Sequence, residues 1–190
     1  MRPMPLKFGL FHGPHHGMNL DPTYSFERDL LLMEHLDRLG FDEAWIGEHH
    51  SGGFENLPAP EVFIAAAAER TKHIRLGTGV KSLSYHHPLI VAETMAQLDH
   101  MTRGRVMFGA GPGALPTDAK MFGIASEDLQ PRMDEALDVI VPLLRGELVS
   151  KKTNWFELHD ARIHFGCYTQ PTMELAVTSI RSPAGRMSFA

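Results

Sequence analysis

Short apolar runs alternate along this chain with longer segments whose apolar residues return every three or four positions. Leu6 to Phe11 reads as a buried strand, and a polar loop follows from His12 to Asp21 with Gly13, Pro14 and Gly17. Pro22 suits the first position of a helix capped by Asp21. Leu32, Met33, Leu36 and Leu39 form its apolar stripe, and Gly40 ends it. Asp42 to Glu48 is a second strand, centred on Ala44-Trp45-Ile46. Pro60 opens a second helix, whose Ala65 to Ala68 allow close packing on a sheet. Ile74 to Val80 is the third strand. Pro88 opens a third helix, with Val91, Ala92, Met95 and Leu98 inward, and Arg105 to Ala110 is the fourth strand. A long helix is predicted from Pro131 to Arg145, with Met133, Leu137, Ile140, Val141 and Leu144 on one face. Pro142 lacks an N–H, which predicts a kink or an early end there. Trp155-Phe156-Glu157-Leu158 and Arg162-Ile163-His164-Phe165 flank His159-Asp160-Ala161 and read as a hairpin. Leu175-Ala176-Val177 is a fifth strand.

Strand and helix alternating in this way imply parallel strands joined by right-handed crossovers, an α/β fold. The chain has 190 residues, enough for one domain with a substantial core and no visible linker or repeat. A complete (β/α)8 barrel takes about 250 residues. The expectation is therefore a single domain over 1–190 that forms about five strands of a partial TIM barrel. A net charge of -5 without a long like-charge run argues against nucleic acid as a partner. Twelve histidines make the charge sensitive near neutral pH. Cys167 is alone, which excludes an internal disulfide framework and fits a reducing cytoplasm. Met1 to Pro5 leads straight into a strand with no signal peptide in view, and no apolar run approaches the roughly 20 residues of a membrane helix.

Chemistry gathers where strands end. Glu48-His49-His50 follows the apolar core of the second strand, the position at which barrel enzymes place reactive groups. Adjacent residues on a strand point to opposite faces, so His49 and His50 should do different work. A histidine can donate or accept a proton near neutral pH, and a neighbouring carboxylate can hold its tautomer. The bland alternative is a pair of structural histidines closing the strand. Gly77-Thr78-Gly79-Val80 allows close approach by a flat ring, although alone it reads as barrel packing. Gly109-Ala110-Gly111-Pro112-Gly113-Ala114 lets the backbone approach a ligand. It matches neither the dinucleotide fingerprint nor a P-loop. Ser179 and Ser182, with Arg181, could bind phosphate or simply form a polar turn. The pairs His15-His16, His49-His50 and His86-His87 all follow strands. Neighbouring histidines diverge and chelate poorly, so no metal site is expected.

Taken in order, these segments resemble the bacterial luciferase-like flavin-dependent monooxygenases. The resemblance runs from Lys7 to about Gly185. It is carried by Lys7 to Phe11, Gly40 to His50, Ile74 to Val80, His87-Pro88-Leu89, Leu98 to Arg105 and Gly109 to Ala119. Gly111-Pro112-Gly113-Ala114-Leu115-Pro116 and the Trp-Phe hairpin look most like the limonene-monooxygenase-like branch. The resemblance implies a TIM barrel binding reduced FMN delivered by a separate flavin reductase, with FAD or F420 the less favoured cofactors. It implies reaction with O2 and oxidation of a small apolar organic substrate. His49 falls on the catalytic histidine, and Glu48 falls among the cofactor-contacting residues. A non-proline cis peptide is implied at Gly79-Val80, under the flavin ring. Ala110, Gly111, Gly113 and Ala114 should line the flavin. Pro112 replaces an arginine of the luciferases proper, which leaves the phosphate to Ser179 and Ser182. A homodimer through the helices near Pro60 and Pro88 is also implied. After Gly185 the family pattern breaks off, so the chain reads as a truncated barrel. The rival readings are an F420-dependent oxidoreductase of the same superfamily and an inactive, flavin-free barrel remnant.

Overall fold

In the computed structural model, residues 6–13 and 15–178 are described. In chain order the elements are β1 (Gly9–His12), α1 (Pro22–Leu39), β2 (Glu43–Ile46), α2 (Pro60–Arg70), β3 (Arg75–Thr78), β4 (Lys81–Ser82) and α3 (Pro88–Thr102). They continue with β5 (Val106–Gly111), α4 (Pro116–Met121), α5 (Leu129–Leu144), β6 (Val149–Lys152), β7 (Glu157–Ala161) and β8 (Leu175–Val177). β1, β2, β3, β5 and β8 pair in that order, all parallel, and β4 continues the line of β3 alongside β5. The break between β3 and β4 is Gly79-Val80, whose peptide bond is cis as the resemblance implies. Among the described residues β1 and β8 are the two edges of an unclosed parallel sheet. This is an α/β architecture with a parallel sheet that forms part of a barrel.

Helix ends follow local chemistry. Asp21 accepts a hydrogen bond from the Tyr24 N–H at the start of α1, and Gly40 closes it at φ 77°. Met33 and Leu36 bury the inner face of α1, whereas Leu39, the last residue of the helix, is 60% exposed. Ala67, Ala68, Val91, Ala92 and Met95 fill the layer between α2, α3 and the strands. Arg105 fastens that layer from below. Its guanidinium donates to the carbonyls of Ala68, Ile74 and Thr102 at 2.8–3.3 Å.

The long helix begins at Leu129, two residues before the expected Pro131, and ends at Leu144, within a turn of Pro142. The Pro142 carbonyl still accepts from the Arg145 and Glu147 N–H groups. The hairpin lies earlier than its aromatic residues suggest. β6 pairs antiparallel with β7, so His159-Asp160-Ala161 belongs to a strand and not to the turn. Thr153 makes the turn, its Oγ1 accepting from the Trp155 and Phe156 N–H groups at 3.3 and 3.1 Å.

Candidate active site

The carboxyl ends of β2, β3, β5 and β8 open on a cleft of about 890 Å³. That size falls within the range of small-molecule sites, roughly 300–1,000 Å³. Phe11, Trp45, Val80, Pro112, Ala176 and Val177 supply apolar walls, and His49, Ser82, Gln130 and Thr178 supply polar groups.

Glu48 lies at the base of this cleft with its carboxylate turned into protein. Oε1 accepts from His50 Nε2 at 3.0 Å and from His86 Nε2 at 2.6 Å. Oε2 accepts from the Ser82 N–H at 3.1 Å and lies 3.3 Å from Lys81 Nζ. Lys81 also reaches Glu61 at 3.0 Å. Burial pushes the Glu48 carboxyl up. The hydrogen bonds from His50 and His86 and the charge of Lys81 outweigh burial, leaving it at about 2. Glu48 adjoins His49 in the sequence, but its partners are His50 and His86. One histidine from each of two pairs thus meets a carboxylate, with all three donor atoms within 4.8 Å. Spacing along the chain did not reveal that meeting.

His49 points away from Glu48. Its Nδ1 lies 3.3 Å from Asp118 Oδ2, and its Nε2 lies 3.5 Å from Glu55 Oε2. Asp118 is buried in α4 and also accepts from the His50 N–H at 3.2 Å. Adjacent histidines therefore do separate work. His49 faces the cleft between two carboxylates, while His50 packs edge-on against Phe122 and Tyr85. Tyr85 stacks on Phe122 with ring centres 4.7 Å apart. Burial, with Asp118 and Glu48 nearby, pushes its phenol up to about 12. A second buried carboxylate, Asp29 of α1, accepts from His12 at 3.0 Å and from His16 at 2.6 Å, tying the loop after β1 to the helix.

The glycines serve protein packing as well as access. A Cβ on Gly77 would lie 2.6 Å from the Trp45 ring, and one on Gly79 would lie 3.0 Å from Trp45 Cβ. At Gly109 it would run into the Thr78 carbonyl. Phe11, Trp45 and Gly77 lie in one register across β1, β2 and β3, and the indole lies over the missing side chain. Gly79, Val80, Gly113 and Ala114 reach the cleft wall. Ala110 and Gly111 do not: they are buried within β5, with Val80 Cγ2 2.5 Å from where a Gly111 Cβ would stand. Ser179 and Ser182 lie outside the described residues.

The family model for luciferase-like monooxygenases matches residues 5–179. The chain belongs to the luciferase-like monooxygenase family. Limonene 1,2-monooxygenase of Rhodococcus erythropolis is 53% identical over 178 residues, covering 94% of this chain and 46% of that protein. The 4-hydroxyprotoasukamycin monooxygenase of Streptomyces nodosus subsp. asukaensis is 50% identical over 95% of this chain and 49% of its own length. The chain thus spans about half the length of the curated relatives it matches. Among solved structures, the oxygenating constituent of 3,6-diketocamphane monooxygenase from Pseudomonas putida, a type II Baeyer–Villiger enzyme in complex with FMN, superposes with a TM-score of 0.86. It is 27% identical, over 95% of this chain and 54% of that one.

The cleft suits a flat heterocycle of this kind. Its walls are apolar, its rim carries hydrogen-bonding side chains, and Glu48, the carboxylate at its base, is held by Lys81 and the two histidines.

Proposed function

We propose that the protein to which this sequence belongs is a flavin-dependent monooxygenase that takes reduced FMN from a separate reductase and oxidises a small apolar organic molecule. The observation that carries this reading is the apolar cleft at the strand ends with His49 on its wall, held between two carboxylates. Bound reduced FMN would supply the electrons that activate O2. Gly79, Val80, Gly113 and Ala114 would form the surface on which the ring lies. Phe11, Trp45, Ala176 and Val177 would exclude water and favour an apolar substrate. His49 is the catalytic residue in this reading. It would hold or accept a proton at Nε2, while Asp118 fixes the ring through Nδ1. Ser179 and Ser182 are assigned to the phosphate by resemblance. Val62 of α2 and Ile90 of α3 are exposed apolar residues on the two helices expected to form a homodimer.

Titration with FMN tests the reading. Saturation in the micromolar range, with quenching of flavin fluorescence and a raised melting temperature, is expected. No response to FMN, FAD or F420 would remove the cofactor assignment, and a response to F420 alone would replace oxygenation with hydride transfer.

A further inference from the structure

His49 faces the cleft, yet polar groups connect it to the outer surface. Beyond its Nε2 lies Oε2 of Glu55 at 3.5 Å, and Oε1 of the same carboxylate lies 3.3 Å from Nδ1 of His15. The side chains are 25% exposed at His49, 15% at Glu55 and 63% at His15. The series thus runs from the cleft through a largely buried carboxylate to open water.

The two loops that carry His15 and Glu55 are fastened together. His15 and Glu55 form an antiparallel bridge, and the His16 N–H donates to the Phe54 carbonyl at 2.7 Å. His16 pairs through Nδ1 with Asn56 at 2.8 Å and donates from Nε2 to buried Asp29 at 2.6 Å. This ladder sets His15 and Glu55 opposite one another without relying on their side chains. The gaps of 3.3 and 3.5 Å exceed the 2.7–3.2 Å of a formed N–H···O bond. Closing them requires small rotations of Glu55 and exposed His15.

We propose that Glu55 and His15 are a proton relay between His49 and bulk water. The use of that relay in turnover rests on the oxygenase reading above, whereas its existence does not. A proton leaving Nε2 of His49 passes to the Glu55 carboxylate. Rotation about the Cγ–Cδ bond presents it to Nδ1 of His15, whose Nε2 releases a proton to water. Return runs the same steps backwards, so no electrons move and no other reactant is needed. Asp118 keeps the Nδ1 side of the ring occupied, which leaves Nε2 as the exchanging atom. Glu55 and His15 act through His49 and are positioning residues.

The test begins on flavin-free protein with 15N-labelled histidine. Proton exchange of the His49 ring is read by relaxation dispersion, with signals assigned by His49→Gln. Glu55→Gln and His15→Gln should each slow exchange by about tenfold, and Glu55→Asp by less. Both variants keep the backbone bridge, and His15 lies at the surface, so melting temperatures should match the parent. Exchange within about twofold of the parent in both variants would overturn the relay. With FMN, reductase and substrate, Glu55→Gln should lower kcat with KM unchanged, and free imidazole in the buffer should restore it. A loss of kcat that imidazole does not restore would also count against the relay. Failure of the protein to bind flavin would remove the oxygenase reading and leave the exchange measurement to decide the relay.

Discussion

At the scale of single residues, the site divides its acids between two tasks. Glu48 anchors His50 and His86, while Asp118 and Glu55 flank His49. Replacing His49 by Ala should therefore cut turnover by about 10²–10⁴ while FMN affinity stays within a few-fold, measured by steady-state assay and flavin titration. Normal turnover in that variant would move the catalytic role elsewhere. Glu48→Gln should act mainly on stability. Removing one member of a buried ionic cluster costs about 3 kcal/mol or more, read by urea unfolding. Acid should unfold the protein through the same groups. In the folded state the carboxyl of Glu48 falls from 4.5 to about 2, and that of Asp29 from 3.8 to about 2. A depressed carboxyl contributes fully above its unfolded value, and that contribution fades as pH falls towards its folded value. Urea midpoints should thus be steady above about pH 5 and drop steeply between about 4.5 and 2, with a shallower drop in Glu48→Gln.

At the scale of elements, the strands are packed across their ends by one large side chain. Trp45 of β2 covers Gly77 of β3 and reaches Gly109 of β5. Gly77→Ala should destabilise by about 1–3 kcal/mol through overpacking. Shortening Trp45 to Leu in the same chain should recover part of the loss, since the three atoms nearest that Cβ all belong to the indole. Gly109→Ala should gain nothing from the same shortening, because its added Cβ meets the Thr78 backbone carbonyl. Thermal melts of the two double mutants separate these cases. The glycines were visible in the sequence as sites of close approach. That the approaching group is largely Trp45 was not, because the contact joins separate strands. The helix signals read more directly. Pro22, Pro60 and Pro88 each open a helix, as local dihedral preference dictates. The two-residue β4 and the short α4 carry too few residues for any periodicity to show.

At the scale of the whole molecule, β1 and β8 leave a parallel sheet open among the described residues. Phe8 is 60% exposed and Phe11 of β1 is 68% exposed. Open edges with apolar side chains favour association. A protein made of these 190 residues alone should be oligomeric or aggregate, and should have little monooxygenase turnover. Light scattering beside an oxygenation assay with NADH and reductase checks both. A stable, active monomer would show that the open edges do not matter.

The sequence by itself determined the parallel α/β order, the helix starts at Pro22, Pro60 and Pro88, and the family. Each of these is encoded in stretches of a few to about twenty residues, where period, cap and motif act locally. Only the tertiary structure decided which acid serves which histidine. His86 joins Glu48 across 38 positions, and Asp118 joins His49 across 69. Such partners share no spacing rule, because parallel crossovers bring distant loops to the same end of the sheet. Adjacency in the sequence therefore does not say that Glu48 serves His50 and His86 while His49 meets Asp118. Glu48, His49 and His50 lie just past the end of β2, where neighbours in sequence find different partners and the neighbour in space comes from another crossover.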